Sequence, residues 1–290
     1  MRISIAAAVL AAIMMLLSFA VDAAPIAAGD GEQSAALPGG VSLDVFTYRP
    51  ASCAPHLLLI VFHGVERDAS PYRDHAKPIA DKLCALIVAP KFDAGRFPRD
   101  LYQYGGVADH GRLLTNNRTV DLVAPLIVWA RQAAGQSDMP YMLIGHSAGS
   151  QFLGRVAAYT RPAAVRIVLA NPSTWVMPST NAAVPFGFGG WQPDPEKALQ
   201  AYLALPILVD LGGSDTGSAH LDVSVDAMAQ GPYRLARGRN AFAMAKAAAA
   251  SHDWVFNWAM VEVPNVGHSA TRMFEAKETI SALQSAAAPR

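Results

Sequence analysis

The chain has 290 residues, 52% of them hydrophobic and 16% charged, which supplies a large core and excludes wholesale disorder. Basic and acidic residues balance at 23 each, so the formal net charge is zero. A neutral chain lacks the electrostatic footprint of a nucleic-acid or anionic-membrane binder, and any polymer it acts on is expected to be uncharged.

Residues 1–24 open with the basic pair Met1-Arg2, continue through an apolar run from Ile3 to Ala20 and end in small residues. This is the layout of a secretory signal peptide. A retained anchor is the rival reading, because the run nearly reaches spanning length. The small-residue exit favours cleavage, and with it export to the periplasm or beyond and no stable membrane insertion of the mature chain. Residues 25–40, rich in Ala, Gly, Ser and Pro, read as a flexible lead-in.

From residue 41 onward short apolar runs alternate with longer helical patterns. The runs at 41–48, 57–62 and 86–89 read as strands, with a helix at 72–83 between the second and third. Cys53 and Cys84 each stand a few residues before such a run. In a parallel sheet both would lie at one edge, so a disulfide is geometrically reasonable, with two buried thiols as the alternative. A helix follows over 120–134, kinked or delayed by Pro125. Then come a strand at 142–144, a helix over 147–159 and a strand at 166–169.

Residues 171–195 break the alternation. They are rich in Pro, Gly and Asn yet carry Trp175, Met177, Phe186, Phe188 and Trp191. Such a stretch is either a functional loop or a set of rings packed on the sheet edge. Strands at 207–211 and 259–263 and helices at 234–250 and 271–286 complete the pattern. Continuous apolar strands alternating with helices specify an α/β fold: one domain over 41–290, a mostly parallel sheet with helices on both faces.

The chemistry centres on Gly145-His146-Ser147-Ala148-Gly149, which follows one strand and opens a helix. In that context G-x-S-x-G is a nucleophile elbow, where a sharp turn exposes the serine and flanking side chains would collide. A serine hydroxyl needs a base. His268, in the loop after the last strand, is the candidate; His252 precedes that strand and reads as structural. The acid that orients the base is expected at Asp215, in the turn after 207–211. Asp210, inside that strand, and Asp222, read as an exposed helix residue, are the alternatives.

Acyl transfer also needs amide donors for the oxyanion, each worth about 3 kcal/mol. Ala148 supplies one by position, and Val65, in the turn His63-Gly64-Val65, is the choice for the second. His63 reads as a buried hydrogen-bonding post. Trp175 and Tyr104, with Tyr102, are candidates to line the substrate pocket. The remaining histidines show no metal-ligand spacing, no dinucleotide or phosphate fingerprint occurs, and no cofactor is called for.

Taken together these residues resemble the α/β-hydrolase superfamily in the order Ser147, Asp215, His268. The motifs at 61–64, 145–149 and 265–269, with the stretch 227–232 and Arg237-Gly238, resemble secreted polyhydroxyalkanoate-depolymerase-like esterases. That resemblance implies hydrolysis of carboxylic esters, including aliphatic polyesters of the polyhydroxyalkanoate or polylactate type. No separate substrate-binding domain is evident, so small esters and oligomers remain substrates. The alternatives are a peptidase or amide hydrolase on the same fold, or a non-enzymatic binder of granules or envelope material, which would need a broken triad.

Overall fold

The structure, a computed structural model, describes residues 23–109 and 112–287. The expected signal peptide lies almost wholly outside the described residues. Among them, no helix is long and apolar enough to cross a membrane.

The chain builds one eight-stranded sheet. Its strands are β1 (Gly29–Leu37), β2 (Val41–Arg49), β3 (Leu57–Phe62), β4 (Ala85–Pro90), β5 (Tyr141–His146), β6 (Arg166–Ala170), β7 (Ile207–Gly212) and β8 (Ala259–Val263). In space they run β1-β2-β4-β3-β5-β6-β7-β8. The pairs β1/β2 and β2/β4 are antiparallel and every other pair is parallel. The principal helices are α1 (Ala69–Leu83), α2 (Val123–Ala134), α3 (Ala148–Thr160), α4 (Pro195–Leu203), α5 (Val225–Gln230), α6 (Arg234–His252), α7 (Ala270–Phe274) and α8 (Lys277–Ala287). A 3-10 turn, Thr119–Leu122, precedes α2, so Pro125 stands near its start and delays it as the sequence suggests.

The continuous apolar runs are strands because both of their faces are covered. Along β3, Leu58, Ile60 and Phe62 join the core cluster beneath α2, α3 and α6, while Leu57, Leu59 and Val61 join the cluster beneath α1, α7 and α8. Alternate side chains therefore serve opposite layers, as the two-residue period of a strand requires.

The N-terminal segment corrects the sequence reading. Residues 25–40 are not a flexible lead-in: β1 pairs with β2 along nine residues, and Lys77 of α1 holds Asp30 at 2.8 Å. Ile26 is buried, and its amide donates to the Ala133 carbonyl at 3.0 Å. An edge strand pays little toward the core, so its sequence can stay small and polar. The helix expected over 271–286 is broken into α7 and α8 at Glu275 and Ala276. Cys53 and Cys84 form a disulfide, with Cα atoms 6.1 Å apart, tying the approach to β3 to the end of α1.

The segment 171–195 packs on the body of the domain. Phe188 and Trp191 lie against Tyr159, whose hydroxyl donates to the Gly187 carbonyl at 2.6 Å. Phe188 also meets Tyr202, and Phe186 meets Tyr104 edge-on. Of the two readings of these rings, packing is the one the contacts satisfy.

Candidate active site

Four loops that leave the carboxyl edge of the sheet, after β3, β5, β7 and β8, build the site. Ser147 occupies the turn between β5 and α3 with φ 56° and ψ −117°, a conformation that L residues adopt only under strain. The glycines two positions away make the turn possible. A Cβ on Gly145 would stand 2.6 Å from the Gly149 carbonyl carbon, and one on Gly149 would stand 2.2 Å from the Phe62 oxygen. The Ser147 amide donates to the Ala170 carbonyl at 3.0 Å, and the Ser150 hydroxyl donates to the Gly145 carbonyl at 2.6 Å.

The loops after β7 and β8 are hydrogen-bonded to one another. Gly213 N donates to Val263 O at 2.9 Å and Ser214 N donates to Val266 O at 2.8 Å. This pairing brings Asp215 to His268. His268 Nδ1 lies 2.8 Å from Asp215 Oδ2, and His268 Nε2 lies 2.9 Å from Ser147 Oγ. A carboxylate only accepts, so Nδ1 carries the proton and Nε2 is left free to accept from the serine hydroxyl. The structure thus joins all three expected residues in one hydrogen-bonded chain.

Asp215 is 1% exposed. Its second oxygen faces the guanidinium of Arg234, equally buried, across 3.6 Å. Arg234 is fixed in turn by donating to the Ala219 carbonyl at 2.6 Å. Nothing in the sequence singles out Arg234: it is one arginine at a helix start, found only once Asp215 has a neighbourhood.

The alternatives for the acid are placed elsewhere. Asp210 is buried within β7, and its carboxylate accepts from Thr279 of α8. Asp222 is neither helical nor exposed, which corrects the sequence reading. It is 8% exposed in the loop before α5, and accepts from Arg99, Tyr104 and the Ser224 amide. Those bonds overcome the effect of burial and bring its pKa down to about 2. His252 lies at the far end of α6, stacked on Trp254.

The loop after β3 is held from within. His63 is fully buried; its Nε2 accepts from the Phe92 amide at 3.0 Å and its Nδ1 lies 2.9 Å from the Gly64 carbonyl. Burial lowers its pKa to about 4, so the ring is neutral and Nδ1 is the donor. The Tyr102 hydroxyl donates to the His63 carbonyl at 2.9 Å, which makes Tyr102 a brace for this loop. The Gly64 carbonyl also accepts from the Arg67 amide at 3.3 Å. In a trans peptide the next N–H points the opposite way, so the Val65 amide is turned away from both donors. Ala148 opens α3, where the first amides have no acceptor within the helix and the dipole is positive.

Above Ser147 lies a cavity of about 260 Å³, with Val65, His146 and His268 among its lining residues. The His146 ring stands 4.6 Å from that of His268. Burial, and secondarily the nearby His268, hold the His146 pKa well below its ordinary value, so it stays neutral beside His268. Trp175 does not line this cavity, which corrects the sequence expectation. It is 1% exposed in the main core, and its backbone N–H and C=O are both engaged by the Gln230 side-chain amide. Tyr104 stands behind a neighbouring wall, with its hydroxyl on Asp222. Among the described residues no group of His, Cys, Asp and Glu is arranged to hold a metal ion.

An elbow serine, a histidine and a buried aspartate, hydrogen-bonded in that order at the carboxyl edge of a mostly parallel sheet, define a serine-hydrolase architecture. No family model and no curated protein matches the chain. Solved structures do. A poly(aspartic acid) hydrolase-1 from Sphingomonas sp. KT-1 is 30% identical, with a TM-score of 0.80, over 86% of this chain and 96% of that one. A poly(3-hydroxybutyrate) depolymerase from Bordetella parapertussis is 29% identical, with a TM-score of 0.79, over 86% of this chain and 88% of that one. An S-formylglutathione hydrolase from Staphylococcus aureus shares the fold, with a TM-score of 0.56 at 12% identity over 91% of this chain and 99% of that one. The chain belongs to the α/β-hydrolase family.

Proposed function

We propose that this protein is a serine hydrolase that cleaves carboxylic esters through an acyl-enzyme, with aliphatic polyesters or their oligomers as substrates. The hydrogen-bonded chain from Asp215 through His268 to Ser147 carries the reading. His268 Nε2 takes the Ser147 proton as Oγ attacks the ester carbonyl, and the imidazolium then protonates the departing alkoxide. Water, deprotonated by the same nitrogen, attacks the acyl-serine and releases the acid. Asp215 stabilises the imidazolium, and the amides of Val65 and Ala148 receive the oxyanion.

The polyester assignment is supported by the 29% identity to a poly(3-hydroxybutyrate) depolymerase. The similarity to a poly(aspartic acid) hydrolase favours a second reading, in which the scissile bond is an amide of a polyacid. Export is part of the proposal, and the disulfide supports it, since such bonds persist in oxidising compartments.

Hydrolysis of a short-chain ester, a polyester emulsion and poly(aspartic acid) by the wild type and by Ser147→Ala tests the reading. A wild-type activity that falls by several orders of magnitude in the variant supports serine catalysis. Clearing of the emulsion selects the polyester and release of aspartate selects the polyamide. Full activity in Ser147→Ala would sink the mechanism.

A further inference from the structure

A second cavity, of about 180 Å³, adjoins the one above Ser147 and shares Val65 and His220 with it. Its polar walls carry one hydrogen-bonding sense, set by arginines standing behind them. Arg155 is fully buried and can only donate. Its Nη2 lies 3.1 Å from Thr174 Oγ1, so that hydroxyl must spend its own proton elsewhere, on Gln151 Oε1 at 2.8 Å. The Gln151 carboxamide is thereby oriented: its oxygen is occupied, and its NH2 is left for the cavity that Gln151 lines. Gln151 is 5% exposed, and no acceptor among the described residues meets that nitrogen.

Gln103 repeats the arrangement. Its Oε1 accepts from Arg67 Nη2 at 3.4 Å, which again leaves the NH2 for the cavity. Ser173 Oγ accepts the Asp222 amide at 2.7 Å and keeps its proton to donate. The one carboxylate in the wall, Asp222, has both oxygens engaged, by Arg99 and Tyr104 on one and by the Ser224 amide on the other. Gln103, Gln151 and Ser173 therefore each keep a donor for this cavity, while both oxygens of its carboxylate already accept hydrogen bonds.

Charge runs the same way. Arg99, Arg155 and Arg237 all act on Asp222, three guanidinium groups against one carboxylate. Arg155 and Arg237 otherwise spend their protons on neutral groups, among them the Thr174 and Ser173 carbonyls. Glu66, which lines the adjoining cavity, is exposed and faces His220 at 3.8 Å. The zero net charge of the whole chain conceals this local positive excess.

We propose that the second cavity is a subsite for a free carboxylate of the substrate, held by Arg99, the Gln103 and Gln151 amides and the Ser173 hydroxyl. The carboxylate is either the acid end of an oligoester or a side-chain acid of a polyacid. The assignment rests on the reading of Ser147 as nucleophile only for the part of the substrate that lies beside it.

Calorimetric binding to the Ser147→Ala protein tests the subsite without turnover. The probes are the linear trimer of 3-hydroxybutyric acid, its methyl ester and tri-aspartate. The acid is expected to bind at least about tenfold more tightly than the ester, as for a hydrogen-bonded charge. Adding Arg99→Gln should bring that ratio close to one. Gln151→Glu, which keeps the acceptor for Thr174 but opposes a carboxylate, should do the same. Tighter binding of tri-aspartate than of the trimer acid would assign the side-chain source. Equal affinity for acid and ester, binding of none of the probes, or a ratio that survives both substitutions in folded protein would overturn the proposal. Failure of the catalytic reading is separate: it would appear as esterase activity surviving Ser147→Ala, whatever the binding ratio.

Discussion

Asp210→Asn and Asp215→Asn make the same chemical change at two buried carboxyls five residues apart in sequence, and the structure separates their effects. Among the described residues the Asp210 carboxyl has only the Thr279 hydroxyl as partner, at 3.1 Å from each oxygen. Burial outweighs that bond and raises its pKa from 3.8 to about 7. The folded protein therefore holds a proton that the unfolded chain has lost between those two values. Stability is undiminished below pH ~4, falls as pH rises through that window, and carries the full penalty above about 7. The interval corresponds to roughly 4 kcal/mol, an upper figure for a group this buried. Asparagine keeps the shape and does not titrate. In urea unfolding followed by tryptophan fluorescence, Asp210→Asn should gain on the wild type by up to about 4 kcal/mol between pH 4 and pH 8, with esterase activity retained. Asp215→Asn should lose about 10⁴-fold in kcat, because the amide no longer fixes the His268 tautomer. An Asp210→Asn protein with the wild-type pH slope, or without activity, would refute the assignment of these two carboxyls.

Gly149→Ala places a methyl group 2.2 Å from the Phe62 oxygen, backbone against backbone, and should cost at least about 3 kcal/mol in chemical denaturation while abolishing turnover. Arg234→Met leaves Asp215 buried without its guanidinium; a loss of about 3–5 kcal/mol is expected in denaturant titration. In steady-state kinetics the same variant should lower kcat by ~10–100-fold with little change in KM, and Arg234→Lys should recover part of kcat. Removing the disulfide by Cys53→Ser with Cys84→Ser, which opens a loop of sequence separation 31, should cost about 2–4 kcal/mol in thermal or urea unfolding. The double variant should retain kcat at low temperature.

The strands and the elbow serine were legible because each leaves a local mark. A strand buried on both faces must be apolar throughout, so the cores of β3 to β7 stand out, and the elbow needs small residues at fixed offsets from Ser147. Asp215 and His268 were legible by order, since each follows a recognisable strand. What escaped was whatever depends on tertiary neighbours. In β1 only Ala35 and Leu37 face the core, so its polar sequence resembles a tail. Asp222 reads as a solvent residue until Arg99, more than a hundred positions earlier, is folded against it. Trp175 sits among turn-forming residues that usually signal exposure, but Gln230 and the core enclose it. Gln151 reads as an ordinary helical residue, and only the Arg155–Thr174 relay gives its amide a direction.

The Cys53–Cys84 bond closes a covalent ring that contains β3, the loop His63–Val65 and all of α1. The three side chains of the hydrogen-bonded chain, Ser147, Asp215 and His268, all lie on the open part of the polypeptide. The site is thus assembled from two topologically different pieces, one cyclic and one linear. A single backbone cut within the ring leaves every segment, the loop that carries the Val65 amide included, still covalently joined through the disulfide. A single cut in the open part, for example in the loop after β7, severs the molecule into two chains that only packing holds together. Resistance to one nick therefore belongs to the Val65 loop and not to the loops of Asp215 and His268, and proteolytic inactivation is expected to begin among the latter.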